Sequence, residues 1–299
     1  MNDRNDFEPA VRNGAWWSGD SRQVMNGNAV QTVLIKQGKL PPLDFTGIEA
    51  VEMGLVMQPT IARIASDRLK MELKEADYAM SHAKEDWLRS HFDYINTAGD
   101  TLVEVKNYNA MVRNKFDAET NRVPAADYIQ CLHEATVHNV DRVILAVLFG
   151  GQEFVTFDFT FTQDQKLDFI KQMSVFWAHV VSGTVPPAKS VDDTKLAYPQ
   201  SVDGIVIANQ AIETRVSDLK QLKAKIKELE TIGDEWETEI RNALGDRSEL
   251  RTFDGNTLVT WKSSKASMKF SADLFKTAMP DIYSKFVVEQ MGSRRFLIK

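Results

Sequence analysis

The sequence predicts an α/β protein with a mixed central sheet flanked by helices, followed by a mainly helical C-terminal domain that contains a small β-hairpin. Residues 142–149 form a nearly continuous apolar run, which is typical of a buried central strand. Residues 153–161 alternate between polar and apolar side chains, as a half-buried strand does. Residues 205–244 repeat apolar side chains at steps of three and four, which predicts a long amphipathic helix.

Length and composition restrict the class of protein. The chain has 299 residues, of which 43% are hydrophobic and 26% charged, and this balance excludes a disordered or collagen-like chain. The one cysteine, Cys131, excludes an intramolecular disulfide framework and favours a reducing compartment. We expect a cytoplasmic protein without a membrane partner, because the sequence has no apolar span and no signal peptide. The net charge of −6 argues against a generally basic nucleic-acid binder but suits an enzyme that gathers carboxylates around metal ions.

The N-terminal part of the chain is predicted to be helical. Residues 16–40 begin with a short polar turn, and a helix capped by Asp20 or Ser21 is expected to follow it. A second helix is predicted over residues 47–73, where Pro59 should kink or divide it.

The middle of the chain predicts a hairpin and two more helices. Turn residues at 96–100 separate two short strands, near 91–95 and 101–106. Further helices are expected over 124–140, with a proline at the start, and over 163–181, before a glycine.

The predicted domain boundary lies in a polar segment. Residues 1–190 form the first domain, 191–204 a linker and 205–299 the C-terminal domain. Within the last domain, Asp254-Gly255 predicts a hairpin turn between two strand-like runs, and a short helix and a final strand over 295–299 follow.

The residues that carry chemistry lie on the predicted central hairpin. Glu104 and Lys106 are two apart on one strand and share a face, while the hairpin folds Asp93 back beside them. Two convergent carboxylates offer oxygen ligands to a hard cation such as Mg²⁺. A lysine beside them can orient a water or stabilise charge on a phosphorane, so the pattern indicates metal-assisted phosphodiester hydrolysis. The alternative is a surface ion pair, which is common for Glu and Lys at this spacing.

The stretch from Trp87 to Lys106 resembles the core of the YqaJ-type viral recombinase nucleases, the lambda-exonuclease branch of the PD-(D/E)-x-K superfamily. Other segments resemble this family in the same order and spacing. They are residues 18–27, 54–59, 128–133 and 176–187. The resemblance covers about residues 14–187 and implies a PD-(D/E)-x-K nuclease core for the first domain.

The resemblance implies a role for each matched residue of the core. Asp93 and Glu104 would bind Mg²⁺, with Mn²⁺ as a substitute, and the Val105 carbonyl would be a further ligand. Lys106 would be the catalytic lysine. Gln130 would lie at the edge of the active site and orient the water or the scissile phosphate.

Three further matched residues lie on the predicted N-terminal helices. Ser21 would contact a phosphate near the DNA end, with Arg22 as a helper. Gln58 stands where the family usually has a glutamate metal ligand, and a neutral amide oxygen binds Mg²⁺ more weakly than a carboxylate does. This departure puts the second metal, or full activity, in question.

The resemblance implies a Mg²⁺-dependent exodeoxyribonuclease of phage recombination. Such an enzyme resects linear double-stranded DNA from the 5′ end, leaves a 3′ overhang for a single-strand annealing protein, and often forms a homo-oligomeric ring. If the chain is phage-encoded, it would act in the host cytoplasm. The alternatives are an endonuclease or single-strand-specific nuclease, and a DNA-binding or assembly protein with a degenerate nuclease domain, for which Gln58 is the best evidence.

Overall fold

The computed structural model describes residues 9–76, 78–289 and 292–299. It divides into two compact units, one that ends at Pro199 and one that begins at Gln200, so the division falls inside the predicted linker, 191–204. The polar start of the chain, where no signal peptide was expected, lies mostly outside the described residues. Among the described residues, no helix combines the length and the apolar character that a bilayer crossing requires.

The first unit contains seven α-helices among the described residues, and they follow the periodic segments of the sequence. The helices are α1 (Pro9–Asn13), α2 (Ser18–Met25), α3 (Ala29–Lys36), α4 (Glu49–Leu69), α5 (Ala125–His138), α6 (Gln163–Ser182) and α7 (Val191–Ala197). A 3₁₀ helix spans Ala110–Lys115. The helix α7 lies in the segment that was predicted to be a linker.

The strands of the first unit form two sheets. They are β1 (Trp16–Trp17), β2 (Leu73–Glu75), β3 (Ala79–Ser81), β4 (Leu88–His91), β5 (Tyr94–Asn96), β6 (Thr101–Tyr108), β7 (Arg142–Phe149) and β8 (Glu153–Thr160). The central sheet has the order β2-β5-β6-β7-β8, with β6 and β7 parallel and the other pairs antiparallel. The predicted mixed sheet and its central strand are therefore confirmed. A second sheet, β1-β4-β3, was not predicted.

Helices cover both faces of the central sheet, because β6 and β7 are apolar on both sides. On one face, Val103 and Ile144 pack against α4 through Ile61. On the other face, apolar side chains of β6, β7 and β8 pack against α5 and α6 in the larger core. Glu104 is only 3% exposed on this second face, so it is buried within the fold rather than placed on an open strand.

The N-terminal segment differs from its prediction. Trp16 and Trp17 do not form a polar turn, because both indoles are buried and the pair hydrogen-bonds as a parallel strand to β4. The single helix expected over 16–40 is instead two helices, α2 and α3, separated at Gly27, which has a φ of 89°. The main-chain N–H of Trp17 donates to Asp20 Oδ2, so Asp20 caps α2 from inside its first turn.

Two other boundaries are set by backbone geometry. The helix α4 runs through Pro59 as one element, so the predicted division at this proline was wrong. It ends at Lys70, which has a left-handed φ of 54°. In the predicted hairpin, β5 and β6 are joined by residues 97–100, with Gly99 at a φ of 79°.

The second unit contains one long helix, a hairpin and two short helices among its described residues. They are α8 (Gln210–Leu244), β9 (Glu249–Arg251), β10 (Thr257–Thr260), α9 (Ala272–Ala278) and α10 (Pro280–Lys285). The hairpin of β9 and β10 turns at Gly255, whose φ is 86°, as the Asp-Gly pair predicted. Residues 295–299 are described and form no strand, so the predicted final strand was wrong. They do not pair with a neighbouring strand, and most of them are exposed.

Candidate active site

The register of the β5–β6 hairpin brings the two predicted carboxylates together. Tyr94 pairs with Val103 across the antiparallel ladder, and Asp93, the residue before this pair, lies close enough to Glu104 for their charges to interact. Lys106 follows Glu104 by two residues and shares its face. A cluster of two acids and one amine therefore results from one turn of defined length.

Asp93 is held from two sides. The main-chain N–H of Val105 donates to Asp93 Oδ2 at 2.9 Å, and Gln58 Nε2 on α4 donates to Asp93 Oδ1 at 2.5 Å. Burial and the nearby Glu104 carboxylate raise the pKa of Asp93 well above its ordinary value. The carboxylate is oriented by neutral donors that do not remove its repulsion from Glu104.

Glu104 accepts hydrogen bonds from the ammonium group of Lys106 and the side-chain amide of Gln130. Lys106 Nζ lies 2.5 Å from Glu104 Oε1, and Gln130 Nε2 on α5 donates to the same oxygen at 2.6 Å. Burial alone would lower the pKa of Lys106, but the Glu104 and Asp93 carboxylates raise it above its ordinary value. Lys106 is therefore an ammonium group in this cluster.

A further carboxylate behind Gln130 was missed by the sequence reasoning. Gln130 Nε2 also donates to Glu134 Oε1 at 3.0 Å, and Glu134 is 1% exposed. Burial, together with the charges of Glu104 and Asp93, raises the pKa of Glu134 well above its ordinary value. The spacing of four residues on α5 was the available signal, since it places both side chains on one helix face.

Arg22 extends the cluster toward α2. Its guanidinium forms an ion pair with Asp127, donates to Tyr108 Oη at 2.7 Å and donates to Gln130 Oε1 at 3.2 Å. Tyr108 Oη in turn donates to Asp127 Oδ1 at 2.6 Å. Burial alone would lower the pKa of Arg22, but the Tyr108 phenol and the Asp127 carboxylate, which both accept its hydrogen bonds, raise it. The helper role predicted for Arg22 stays a prediction, but the residue lies beside the cluster.

Tyr108 and Asp127 were not singled out from the sequence. Tyr108 follows Lys106 by two residues on the same strand face, and Asp127 precedes Gln130 by three on the same helix face. Both spacings were readable in advance. The resemblance placed Gln130 of helix α5 at the edge of the active site, but it did not single out Tyr108 or Asp127.

Ser21 lies in the interior and does not border the cluster. Its side chain is fully buried, and its hydroxyl lies 2.9 Å from His133 Nδ1 and accepts from Trp16 Nε1 at 3.0 Å. His133 Nε2 faces the Arg89 carbonyl at 2.8 Å, so Nε2 carries the proton and Nδ1 accepts from Ser21. The predicted phosphate contact of Ser21 does not fit this burial. Ser21 instead joins α2 to α5.

The cluster suits a hard divalent cation. The half-buried Asp93 and the buried Glu104 are two mutually repelling carboxylates, and a cation between them would offset that repulsion. Among the described residues, no group of three or more His, Cys, Asp or Glu side chains is arranged to hold a metal ion. A cation here would therefore need neutral oxygens as well, for which the Val105 carbonyl, the Gln58 amide oxygen and water are available. The predicted metal roles of these residues stay predictions.

The chain is similar to exonucleases among the solved structures. No protein-family model and no curated protein matches it. An alkaline exonuclease from Laribacter hongkongensis, also solved in complex with dAMP, is 11% identical with a TM-score of 0.49, over 58% of this chain and 91% of that chain. A phage-related exonuclease from Haemophilus somnus 129PT is 10% identical with a TM-score of 0.41, over 54% of this chain and 82% of that chain.

Proposed function

We propose that this chain is a metal-dependent nuclease that hydrolyses phosphodiester bonds of DNA. The observation that supports this most directly is the convergence of Asp93 and Glu104 at one hairpin, with Lys106 on the same face. Two acids and one amine in a partly buried cluster combine oxygen ligands for a cation with a donor for a phosphoryl oxygen. A surface ion pair, the alternative for this spacing, is not consistent with a Glu104 that is 3% exposed.

The cation would be Mg²⁺, with Mn²⁺ as a substitute. Asp93 and Glu104 would hold it, with the Val105 carbonyl and Gln58 as neutral ligands. When bound, such a cation polarises a phosphoryl oxygen and lowers the pKa of a coordinated water.

The side chains around the carboxylates position the reactants. Lys106, as an ammonium group, donates hydrogen bonds to the attacking water or to a phosphoryl oxygen and so stabilises negative charge on the phosphorane. Gln130 bridges Glu104 and Glu134 and holds the Glu104 carboxylate in one orientation. Its amide oxygen accepts a hydrogen bond from Arg22, so the two polar ends of Gln130 connect the carboxylates to the Arg22 guanidinium.

Arg22 is proposed to contact a phosphate of the DNA. Its side chain is 26% exposed and its guanidinium lies beside Gln130, whereas the neighbouring Ser21 hydroxyl is buried. Asp127 and Tyr108 hold the guanidinium in place. Ser21 would then act indirectly, because its hydrogen bond to His133 fixes the start of α2 and with it Arg22.

The finer parts of the proposal come from the resemblance of the sequence. We propose that the substrate is linear double-stranded DNA, resected from the 5′ end to leave a 3′ overhang, in phage recombination. A single-strand annealing protein would be the partner, a homo-oligomeric ring the assembly, and the host cytoplasm the location.

Digestion of end-labelled DNA tests the proposal. Linear duplex labelled at either the 5′ or the 3′ end is incubated with Mg²⁺, Mn²⁺ or EDTA, and covalently closed circular duplex serves as the end-free substrate. We expect early release of the 5′ label from linear DNA, with no cleavage in EDTA or by Asp93→Asn. Asp100→Asn is the matched control, because Asp100 is an exposed aspartate in the turn of the same hairpin. Cleavage in EDTA, or an unchanged rate for Asp93→Asn, would refute the mechanism.

A second candidate is a DNA-binding or assembly protein with an inactive nuclease unit. The observation that favours it is the neutral Gln58, whose amide nitrogen faces Asp93 where the resembled family has a carboxylate. This candidate predicts binding of linear duplex without Mg²⁺- or Mn²⁺-stimulated cleavage. Cleavage of the closed circle would instead indicate an endonuclease, and cleavage of single strands alone a single-strand-specific nuclease.

A further inference from the structure

Helix α8 carries an apolar seam that its own unit leaves exposed. The helix has 35 residues and is therefore about 52 Å long. Leu222 is 53% exposed, Leu229 is 67% exposed and Trp236 is 65% exposed. Large apolar side chains at such exposure along one line are typical of an interaction surface.

The apolar side chains of α8 follow a seven-residue repeat. In a coiled coil, the first and fourth positions of each repeat, called a and d, form the seam between two helices. The a positions are Ile212, Leu219, Ile226, Gly233 and Ile240, and the d positions are Arg215, Leu222, Leu229, Trp236 and Ala243. Leu and Ile fill both positions of the two central repeats. Gly233 leaves space in the layer before the bulky Trp236.

The charges beside the seam select a second copy of the same chain. In a parallel pair, the g position of one helix meets the next e position of the other. Asp218 at g would meet Lys223 at e, and Lys225 at g would meet Glu230 at e. Each contact occurs twice in a symmetric pair, so four attractive pairs form. The other g and e positions bring no like charges together.

In an antiparallel pair, g positions would instead face g positions and e positions would face e positions, which can bring Asp218 to Lys225 and Lys223 to Glu230. The parallel and antiparallel arrangements therefore differ in which charges meet, and exchanging those charges distinguishes them.

We propose that α8 forms a parallel, in-register, two-stranded coiled coil with α8 of a second copy of this chain. The seam that is exposed in one chain is then covered by an identical seam of the other. This proposal does not depend on the proposed nuclease function, since it rests on α8 alone.

The molar mass of the full chain in solution tests the pairing. One chain has a mass of 33.8 kDa, and we expect light scattering to give twice that mass for the wild type. The double variant Leu222→Asp and Leu229→Asp places charge in the seam and should halve the mass at the same concentration. The matched control is Ala224→Asp with Thr231→Asp, on the opposite side of α8, which should keep the mass of the pair. A wild-type mass of one chain, a mass of three or more chains as a closed ring would give, or equal masses for the two double variants would overturn the pair.

A charge exchange tests the partner and the orientation. One variant combines Lys223→Glu with Glu230→Lys, and the other combines Asp218→Lys with Lys225→Glu. Each alone opposes like charges in a parallel pair and should pair more weakly than the wild type. Mixed together, they restore all four attractions and should form a hybrid of twice 33.8 kDa. A molar mass of the mixture no higher than that of either variant alone would contradict the parallel arrangement. Because mixing cannot rescue a misfolded variant, a higher mass of the mixture also shows that both variants are folded.

Discussion

The buried imidazole of His133 makes the stability of the first unit depend on pH in a way that can be calculated. His133 is fully buried between α2 and the Arg89 carbonyl, and burial is the main cause that lowers its pKa to about 3. In an unfolded chain the pKa of histidine is about 6.5. The folded state therefore keeps the imidazole neutral at pH values where the unfolded chain binds a proton.

The sign and size of the effect follow from this difference. A neutral base whose pKa is lowered in the folded state makes its full contribution to the free energy of unfolding above about pH 6.5. This contribution is lost as the pH falls toward the pKa of the folded state. At about pH 5 the unfolded histidine is mostly protonated while His133 in the folded chain is not. The free energy of unfolding should then be lower by roughly 2 kcal/mol than at about pH 8, at about 1.4 kcal/mol per pH unit.

Urea unfolding at the two pH values measures this contribution. We compare the wild type with His133→Gln, which can still donate to the Arg89 carbonyl but does not titrate. Other groups also titrate between the two pH values, so the wild type and the variant are compared by how much the free energy of unfolding falls from about pH 8 to about pH 5. This fall should be larger by about 2 kcal/mol in the wild type. His179→Gln, at a half-buried position near the end of α6, controls for the loss of an imidazole. Equal pH dependences for the wild type and His133→Gln would refute the burial argument.

Four other changes have expected outcomes. Gln58→Glu should maintain or raise Mg²⁺-dependent cleavage, because a carboxylate binds Mg²⁺ more tightly than an amide, and a clear loss in the same digestion assay would contradict the position assigned to it. Lys106→Met should lower the cleavage rate by about 100-fold or more while the chain stays folded by circular dichroism, since the methionine keeps the length but not the charge. Ile61→Ala should lower the free energy of unfolding by about 2–5 kcal/mol in urea, because Ile61 is fully buried under the sheet. Gly150→Ala should lower the free energy of unfolding more than Gly151→Ala does. Both glycines have a left-handed φ, 58° for Gly150 and 72° for Gly151. A Cβ at Gly150 would lie 2.9 Å from Ala110 Cβ, whereas a Cβ at Gly151 would have no neighbour within 4 Å. Equal losses for the two glycines would contradict the clash.

Local patterns were sufficient for the elements that carry the cluster. Strand β7 and the hairpin around residues 97–100 were predictable, because apolar runs and turn residues act within a few neighbours in the chain. That hairpin brings Asp93 close to Glu104, so the convergence of the two carboxylates was predictable as well. The tryptophan pair at the start of α2 was misread as a turn. Its strand exists only because β4 lies beside it, a partner more than 70 residues further along the chain.

Two features follow from local patterns alone: the hairpin that brings two acids and an amine together, and the seven-residue repeat of α8. Both depend on spacings of a few residues, and the periods of strands and helices convert such spacings directly into shared faces. The burial of Ser21, the contact of Arg22 with Gln130, and the positions of Glu134 and Asp127 beside the cluster could not be predicted in this way. These contacts depend on how α2 and α5 pack against the sheet, and packing between distant segments is set by the whole core rather than by any local pattern.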